Sequence, residues 1–343
     1  MRRTGTRAVL TALAAAIALL VSACGGNEQQ GRAPVASGGG SSAAERGDSS
    51  AIRIAVNPWT GSAVNANVAK VILERELGYK VQLVKIDEFA QFPALASGDL
   101  DATLEVWPSG HAADIARYIN GRRGGPLRDG GVVNGGRLGA VGDIGWWVPS
   151  YLVAEHPELA SWQGIKRDAS LFRTAKSGSQ GQFLASDPSF VSYDKQIIKS
   201  LGLNLKVVYS GSEKATLAAL DDAFKRKAPL LLYFWTPHWA HAKYDLTEVR
   251  LPPFDKACAD AARDRGGAGY DCDYANDILF KAFSIRLQHK APDAYRFLSN
   301  FRYTNDDQEQ IAFQVDVKGV PVATAARRWV DQHPNVWRAW LPQ

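Results

Sequence analysis

IRIAVNPWTGSAVNANVAKVILERELGYKVQLVKIDEFAQFPALASGDLDATLEVW, residues 52–107, switches repeatedly between two periodicities. Ile52–Val56 is a short apolar run that reads as a strand, and Ala63–Leu77 follows as an amphipathic helix closed by Gly78. Val81–Ile86 returns to a strand. Asp87 is placed to cap a helix that runs to Ser97, where Gly98 supplies a stop. Asp101–Trp107 is a third strand with alternating faces. The βαβαβ order predicts a mostly parallel sheet flanked by helices.

A turn-rich stretch, Asn120–Gly136, leads into Leu138–Val153, an extended segment suited to passing from one lobe to another. A second α/β set follows. Ser177–Gly181 reads as a small-residue loop, Asp194–Leu201 as a helix stopped by Gly202, and Lys206–Tyr209 as a strand. Ser212 is placed to cap the helix Glu213–Lys227, and Ala228–Trp235 is another buried strand. Leu246–Phe254 reads as the return crossing, and the remainder as largely helical. These spans predict lobe I from 51–140 plus 246–343 and lobe II from 141–245. No internal repeat is legible.

Several β-runs end in a tryptophan beside a proline: Trp59 after Pro58, Trp107 before Pro108, and Trp235 two residues before Pro237. Trp146-Trp147-Val148-Pro149 is a fourth cluster. Ligands of open α/β sheets sit past the carboxyl ends of strands, so these rings are expected to converge on one cleft. Several indole faces suit a quaternary ammonium cation, which has no N–H to donate and is attracted to the negative face of each ring. Asn57, His111 and His238 are candidate donors to the rest of such a ligand. The helix start at Thr60–Ala63 and the loop Gly178–Gly181 offer backbone N–H groups to a carboxylate.

Residues 1–23 read as a targeting segment, with Arg2, Arg3 and Arg7 ahead of the apolar stretch Ala8–Val21. Val21-Ser22-Ala23-Cys24 resembles a bacterial lipoprotein signal, which implies a lipid on Cys24 and an extracytoplasmic, membrane-anchored protein. Residues 24–50, rich in Gly, Ser and Ala, read as a flexible tether. Forty basic residues stand against 35 acidic ones, and three of the forty lie in the targeting segment. The near-neutral remainder, with its basic residues scattered, argues against nucleic acid as a partner. Of three cysteines, Cys24 is assigned to the lipid. Cys258 and Cys272 are then expected to pair in an oxidising compartment.

VNPWTG (residues 56–61), ALASGDLDATLEVWP (94–108) and WTPHWAHAKYDL (235–246), with the preceding GSEKATLAALDDAF (211–224), resemble the substrate-binding proteins of glycine betaine, proline betaine and choline ABC importers. The resemblance covers most of residues 51–343. It implies a two-lobed, type II periplasmic-binding-protein-like α/β fold with a hinge of two crossing segments, and a monomer that delivers a quaternary ammonium ligand, glycine betaine first, to an ABC permease. It also implies cage roles for Trp107 and Trp235 and a carboxylate contact for His111. The loop SGSQGQF (177–183) lacks the tryptophan that some relatives contribute. Trp146, Trp147, Phe183 or Tyr193 is expected to replace it.

Catalysis has little to rest on. HExxH, GxSxG and P-loop motifs are absent from the sequence, and Glu105 and Asp143 near the cleft are acid–base candidates of a kind common at strand ends. His238 and His241 have helical metal-ligand spacing without a third ligand close in sequence. No metal or cofactor is expected. The competing readings are a receptor for a sugar or aromatic solute, on which tryptophans also stack, and a surface sensor or adhesin of the same fold.

Overall fold

The computed structural model describes residues 50–119 and 131–343. The targeting segment, Cys24 and nearly all of the tether lie outside the described residues, as does most of the turn-rich stretch after Asn120. Among the described residues nine strands form one mixed sheet: β1 (Ile52–Val56), β2 (Val81–Lys85), β3 (Ala102–Val106), β4 (Val132–Pro149), β5 (Gly181–Ala185), β6 (Leu205–Tyr209), β7 (Leu232–Thr236), β8 (Leu246–Glu248) and β9 (Asp277–Ser284). The helices of seven or more residues are α1 (Thr60–Arg75), α2 (Gln91–Ser97), α3 (Trp162–Asp168), α4 (Asp194–Ser200), α5 (Glu213–Arg226), α6 (Lys256–Asp264), α7 (Pro292–Asn300), α8 (Asn305–Asp316) and α9 (Val322–Gln332).

The strand order is β2-β1-β3-β9-β4-β7-β5-β6, with β8 beside β4. The three strands β2-β1-β3 are parallel, and so are β6-β5-β7. Each trio places its first strand in the middle, so the two lobes share one topology. Antiparallel β9 and β4 lie between them. β4 runs through both lobes: it pairs with β9 as far as Gly142 and with β7 from Asp143 onward. The first crossing is therefore a continuous strand. The return runs from β8, which pairs with β4 at Trp147–Pro149, to β9.

Strand positions follow from the apolar runs. All five residues of β3 are buried, as expected for a strand covered on both faces. Ser212 caps α5 by accepting from the Ala215 amide at 3.2 Å, and Gly98 ends α2 at φ +82°. Asp87 stands before a short 3₁₀ turn and makes no capping bond.

Four expectations need correction. α1 begins at Thr60 rather than Ala63. The segment expected to be extended to Val153 turns helical at Ser150. β5 follows directly on the small-residue loop without having been anticipated. The largely helical remainder contains β9, a strand central to the sheet. Its run, DILFKAFS, is interrupted by Lys281, whose buried ammonium donates to the Ser299 and Phe301 carbonyls at 2.8 and 2.5 Å. Burial lowers that amine to about 7, so a neutral, strand-compatible form is accessible near neutral pH.

Cys258, in α6, and Cys272 are bridged, with their Cα atoms 6.4 Å apart, inside the range a disulfide spans. The loop they close lies between β8 and β9. Closing a loop of this length stabilises by about 3 kcal/mol in the chain-entropy model. Reduction should lower the melting temperature by several degrees and restore two hydrogens by intact mass. Two alkylatable thiols in unreduced, unfolded protein would rule the bridge out.

Candidate functional site

Four strand ends meet at the cleft. Trp59 follows β1, Trp107 follows β3, Phe190 lies in the turn after β5, and Trp235 is the penultimate residue of β7. With Glu88, Ile144, Val191 and Tyr233 they line one chamber. Phe190 stands edge-on to Trp59 at 5.5 Å and to Trp235 at 5.7 Å between ring centroids. Tyr233 lies 6.4 Å from Phe190. The chamber is thus walled by aromatic rings from both lobes.

Glu105 holds two of those rings. Its Oε1 accepts from the indole N–H of Trp59 at 2.8 Å and of Trp107 at 3.0 Å. Its Oε2 accepts from the Asn65 amide in α1 at 2.6 Å and the Gln308 amide in α8 at 2.8 Å. Burial raises this carboxyl to about 7, against the indole and amide donors that favour its charge. Four donors fill the carboxylate, and the two N–H edges are turned to it, leaving ring carbons for the chamber. Two glycines make room: a Cβ on Gly142 would lie 2.3 Å from the Trp107 ring, and one on Gly61 would lie 2.8 Å from Gln308 Nε2.

A second chamber shares Trp59 and Trp235 as walls. It adds Thr60, Gly61, Glu105, Glu213, Pro237, His238, Gln308, Glu309 and Ala312. Here the lobes touch. Glu213 Oε2, at the start of α5, accepts from the Thr60 amide at 2.7 Å and its hydroxyl at 3.0 Å. The Trp239 indole donates to Asp316 at 2.8 Å, and across the first chamber the Val191 amide donates to Glu88 at 2.8 Å.

Not every expected site residue reaches the cleft. Trp59, Trp107 and Trp235 do, and His238 reaches the second chamber. His111 does not. It is fully buried between Glu88 and Asp114, 3.0 and 2.9 Å away. Burial opposes its charge, but bonds to Asp114 and Glu88 outweigh that and raise it to about 9. It therefore orients Glu88 rather than a ligand. Asn57 is engaged with Ser62. Trp146 is a core residue that donates to Asp194 at 2.7 Å and packs on Phe183, while Trp147 packs on His241. Tyr193 stacks on Tyr270 at 4.4 Å. None of these five rings and amides lines either chamber. The rings that lobe II brings instead are Phe190 and Tyr233.

The acid–base pair does not form either, because Asp143 sits on β4 opposite Thr236, away from both chambers. His241 faces the Trp235 carbonyl at 3.0 Å, so it makes no metal pair with His238. Glu213, His238 and Asp316 bring three potential ligand atoms within 4.8 Å. The chemistry of His238 does not fit a metal. The Ala240 amide donates to Nδ1 at 3.0 Å, so the ring proton sits on Nε2 and is directed at Glu213, 3.1 Å away. Metal-bound histidines instead donate from their second nitrogen.

The fold and a cleft between two lobes define a type II binding protein. Structures of similar fold include a glycine betaine, L-proline-binding protein from Borrelia burgdorferi, with TM-score 0.68 and 21% identity over 85% of this chain and 97% of that one. A choline-binding protein of an ABC transporter, solved with choline, has TM-score 0.66 and 19% identity over 85% of this chain and 91% of that one. Residues 50–332 match the family model for the substrate binding domain of ABC-type glycine betaine transport systems, and the chain belongs to that family. The members are binding proteins, not enzymes. A glycine betaine/carnitine transport binding protein of Listeria monocytogenes is 29% identical over 131 residues, which span 38% of each chain.

The Glu105 carboxyl carries a stability signature. Its folded value near 7 lies above its ordinary 4.5, so the folded state holds the proton more tightly. The contribution is complete below about pH 4.5 and lost as pH rises to 7, a change on the order of 1 to 3 kcal/mol. Melting scans from pH 5 to 7.5 should show Glu105→Gln losing less stability across the range than the parent. Parallel curves would contradict this account.

Proposed function

We propose that this chain captures a quaternary ammonium compound in a cage of Trp59, Trp107, Trp235, Phe190 and Tyr233, and passes it to an ABC permease. The observation that carries the reading is the convergence of rings from four strand ends on one chamber. Each ring contributes roughly 0.5 to 2 kcal/mol to a desolvated cation. Four or five rings with buried methyl groups are compatible with the roughly 8 kcal/mol of a micromolar complex. Among the described residues Glu88 is the one acidic or basic side chain in the lining, which suits a cation and leaves a sugar without the planar hydrogen-bonding groups it needs. Glycine betaine and choline share the trimethylammonium head that such a cage reads.

The lobes, 51–140 with 246–343 and 141–245, act as a clamp. Trp59 and Trp107 come from the first, and Phe190, Tyr233 and Trp235 from the second. A ligand that touches both sets stabilises the closed form, in which the cross-cleft bonds of Glu213 and Glu88 are made. The protein works as a monomer outside the cytoplasm, held to the membrane by a lipid on Cys24. No helix among the described residues is long and apolar enough to cross a bilayer.

Trp107→Ala and Trp235→Ala should each weaken choline and glycine betaine at least tenfold, about 1.4 kcal/mol, in isothermal titration. Phe replacements should lose less. Alanine variants that bind the quaternary ammonium panel like the parent would remove the cage. For the anchor, the mature protein should start at Cys24 with a lipid mass increment, and Cys24→Ala should leave the membrane fraction or stay unprocessed. A mature protein without that increment would exclude it.

A further inference from the structure

The second chamber differs from the first in what it offers. Its ionisable lining is Glu105, Glu213, Glu309 and His238, and among the described residues no lysine or arginine lines either chamber. Gln308, which also lines it, leaves Oε1 buried with no partner. That atom is an acceptor in want of a donor.

Of the two places expected to receive a carboxylate, the α1 start is occupied at its first amide and the glycine loop lies off both chambers. The amide that opens α1, on Thr60, is capped across the cleft by Glu213. The chain itself thus supplies the anion that a helix N-terminus attracts. Three amides of the Gly178–Gly181 loop bond to backbone: Gly178 to Thr174, Gln180 to Ser177 and Gly181 to Asn204. None of these loop residues lines a chamber. His238 is no donor to a ligand either, because its Nε2–H is directed at Glu213. A ligand carboxylate placed here would stand among the Glu105, Glu213 and Glu309 carboxyl groups.

Resting on the cage reading, we propose that the second chamber selects the tail of the ligand: it takes a net cation whose tail donates a hydrogen bond, such as the hydroxyl of choline, and rejects carboxylate-bearing betaines, with Glu213 the residue that sets the preference. The head sits among the rings, and the tail passes the Trp59 and Trp235 walls shared by the two chambers. A hydroxyl there has Gln308 Oε1 or a glutamate to donate to. A betaine carboxylate has Glu213 to repel it, and a like-charge contact away from bulk water is strongly unfavourable.

The test is isothermal titration of the full-length protein with choline, glycine betaine and ethyltrimethylammonium, which keeps the size of choline without its hydroxyl. Choline should bind at least tenfold more tightly than either of the others. Glu213→Gln, which keeps a carbonyl acceptor and removes the charge, should narrow the choline-to-betaine ratio at least threefold. Glu309→Gln serves as a second variant and should narrow it less. Glycine betaine binding as tightly as choline in the parent would overturn tail selection and leave the cage intact. An unchanged ratio in a folded Glu213→Gln protein would overturn the role of Glu213. If none of the three ligands bound, the cage reading would fail and this inference with it.

Discussion

The Glu105 carboxylate is the constraint on which the site depends. A buried carboxylate is costly unless its lone pairs are filled, and here the donors that fill them come from four separate pieces of chain. Trp59 arrives from the end of β1, Trp107 from the end of β3, Asn65 from α1 and Gln308 from α8. Satisfying one charge therefore fixes two rings and docks two helices. The same arrangement explains the glycines at 61 and 142, where any side chain would enter the space that Gln308 or the Trp107 ring occupies. Indole edges held this way also cost a bound cation less ordering, because the ring faces are already in place.

The topology does the rest. Each lobe repeats the order of a central first strand flanked by its second and third, and in each the first and third strands end at the cleft. An aromatic residue at each of those four ends becomes a wall of one chamber without any contact in sequence. Three of the four were legible, because Trp59, Trp107 and Trp235 each close an apolar run and the strand-end rule converts that position into a place. Phe190 was not. It lies five residues beyond β5, in a turn with no motif, and its place among the rings depends on how Asp187–Ser189 fold back.

The misplaced residues fail for an identifiable reason. Trp146 and Trp147 are neighbours in a strand, so they point to opposite faces. One is anchored in the lobe II core by Asp194 and the other packs on His241. Adjacent tryptophans looked like a cage fragment only while the register of β4 was unknown. β9 was hidden by Lys281, a charge in mid-run that a buried strand does not ordinarily hold. The partners that make it tolerable, two carbonyls about twenty residues on, are invisible to local pattern. The pairing of Cys258 with Cys272 rests on a countable feature, whereas the capping of α1 by Glu213 joins residues 153 positions apart.

That last contact ties selectivity to closure. The same carboxylate that caps α1 also stands in the second chamber, so if the lobes act as the proposed clamp, parting them would release Glu213 from Thr60. An open cleft would leave the α1 amide free to bind any anion, including the carboxylate of a betaine. On closing, that anion and Glu213 would crowd the same helix start. A ligand without a carboxylate leaves the cap undisturbed, and its binding and the cross-cleft bond favour the same state. Discrimination of this kind lies in the conformational step rather than in the cage, which treats every trimethylammonium head alike. It operates by penalising closure around the wrong tail.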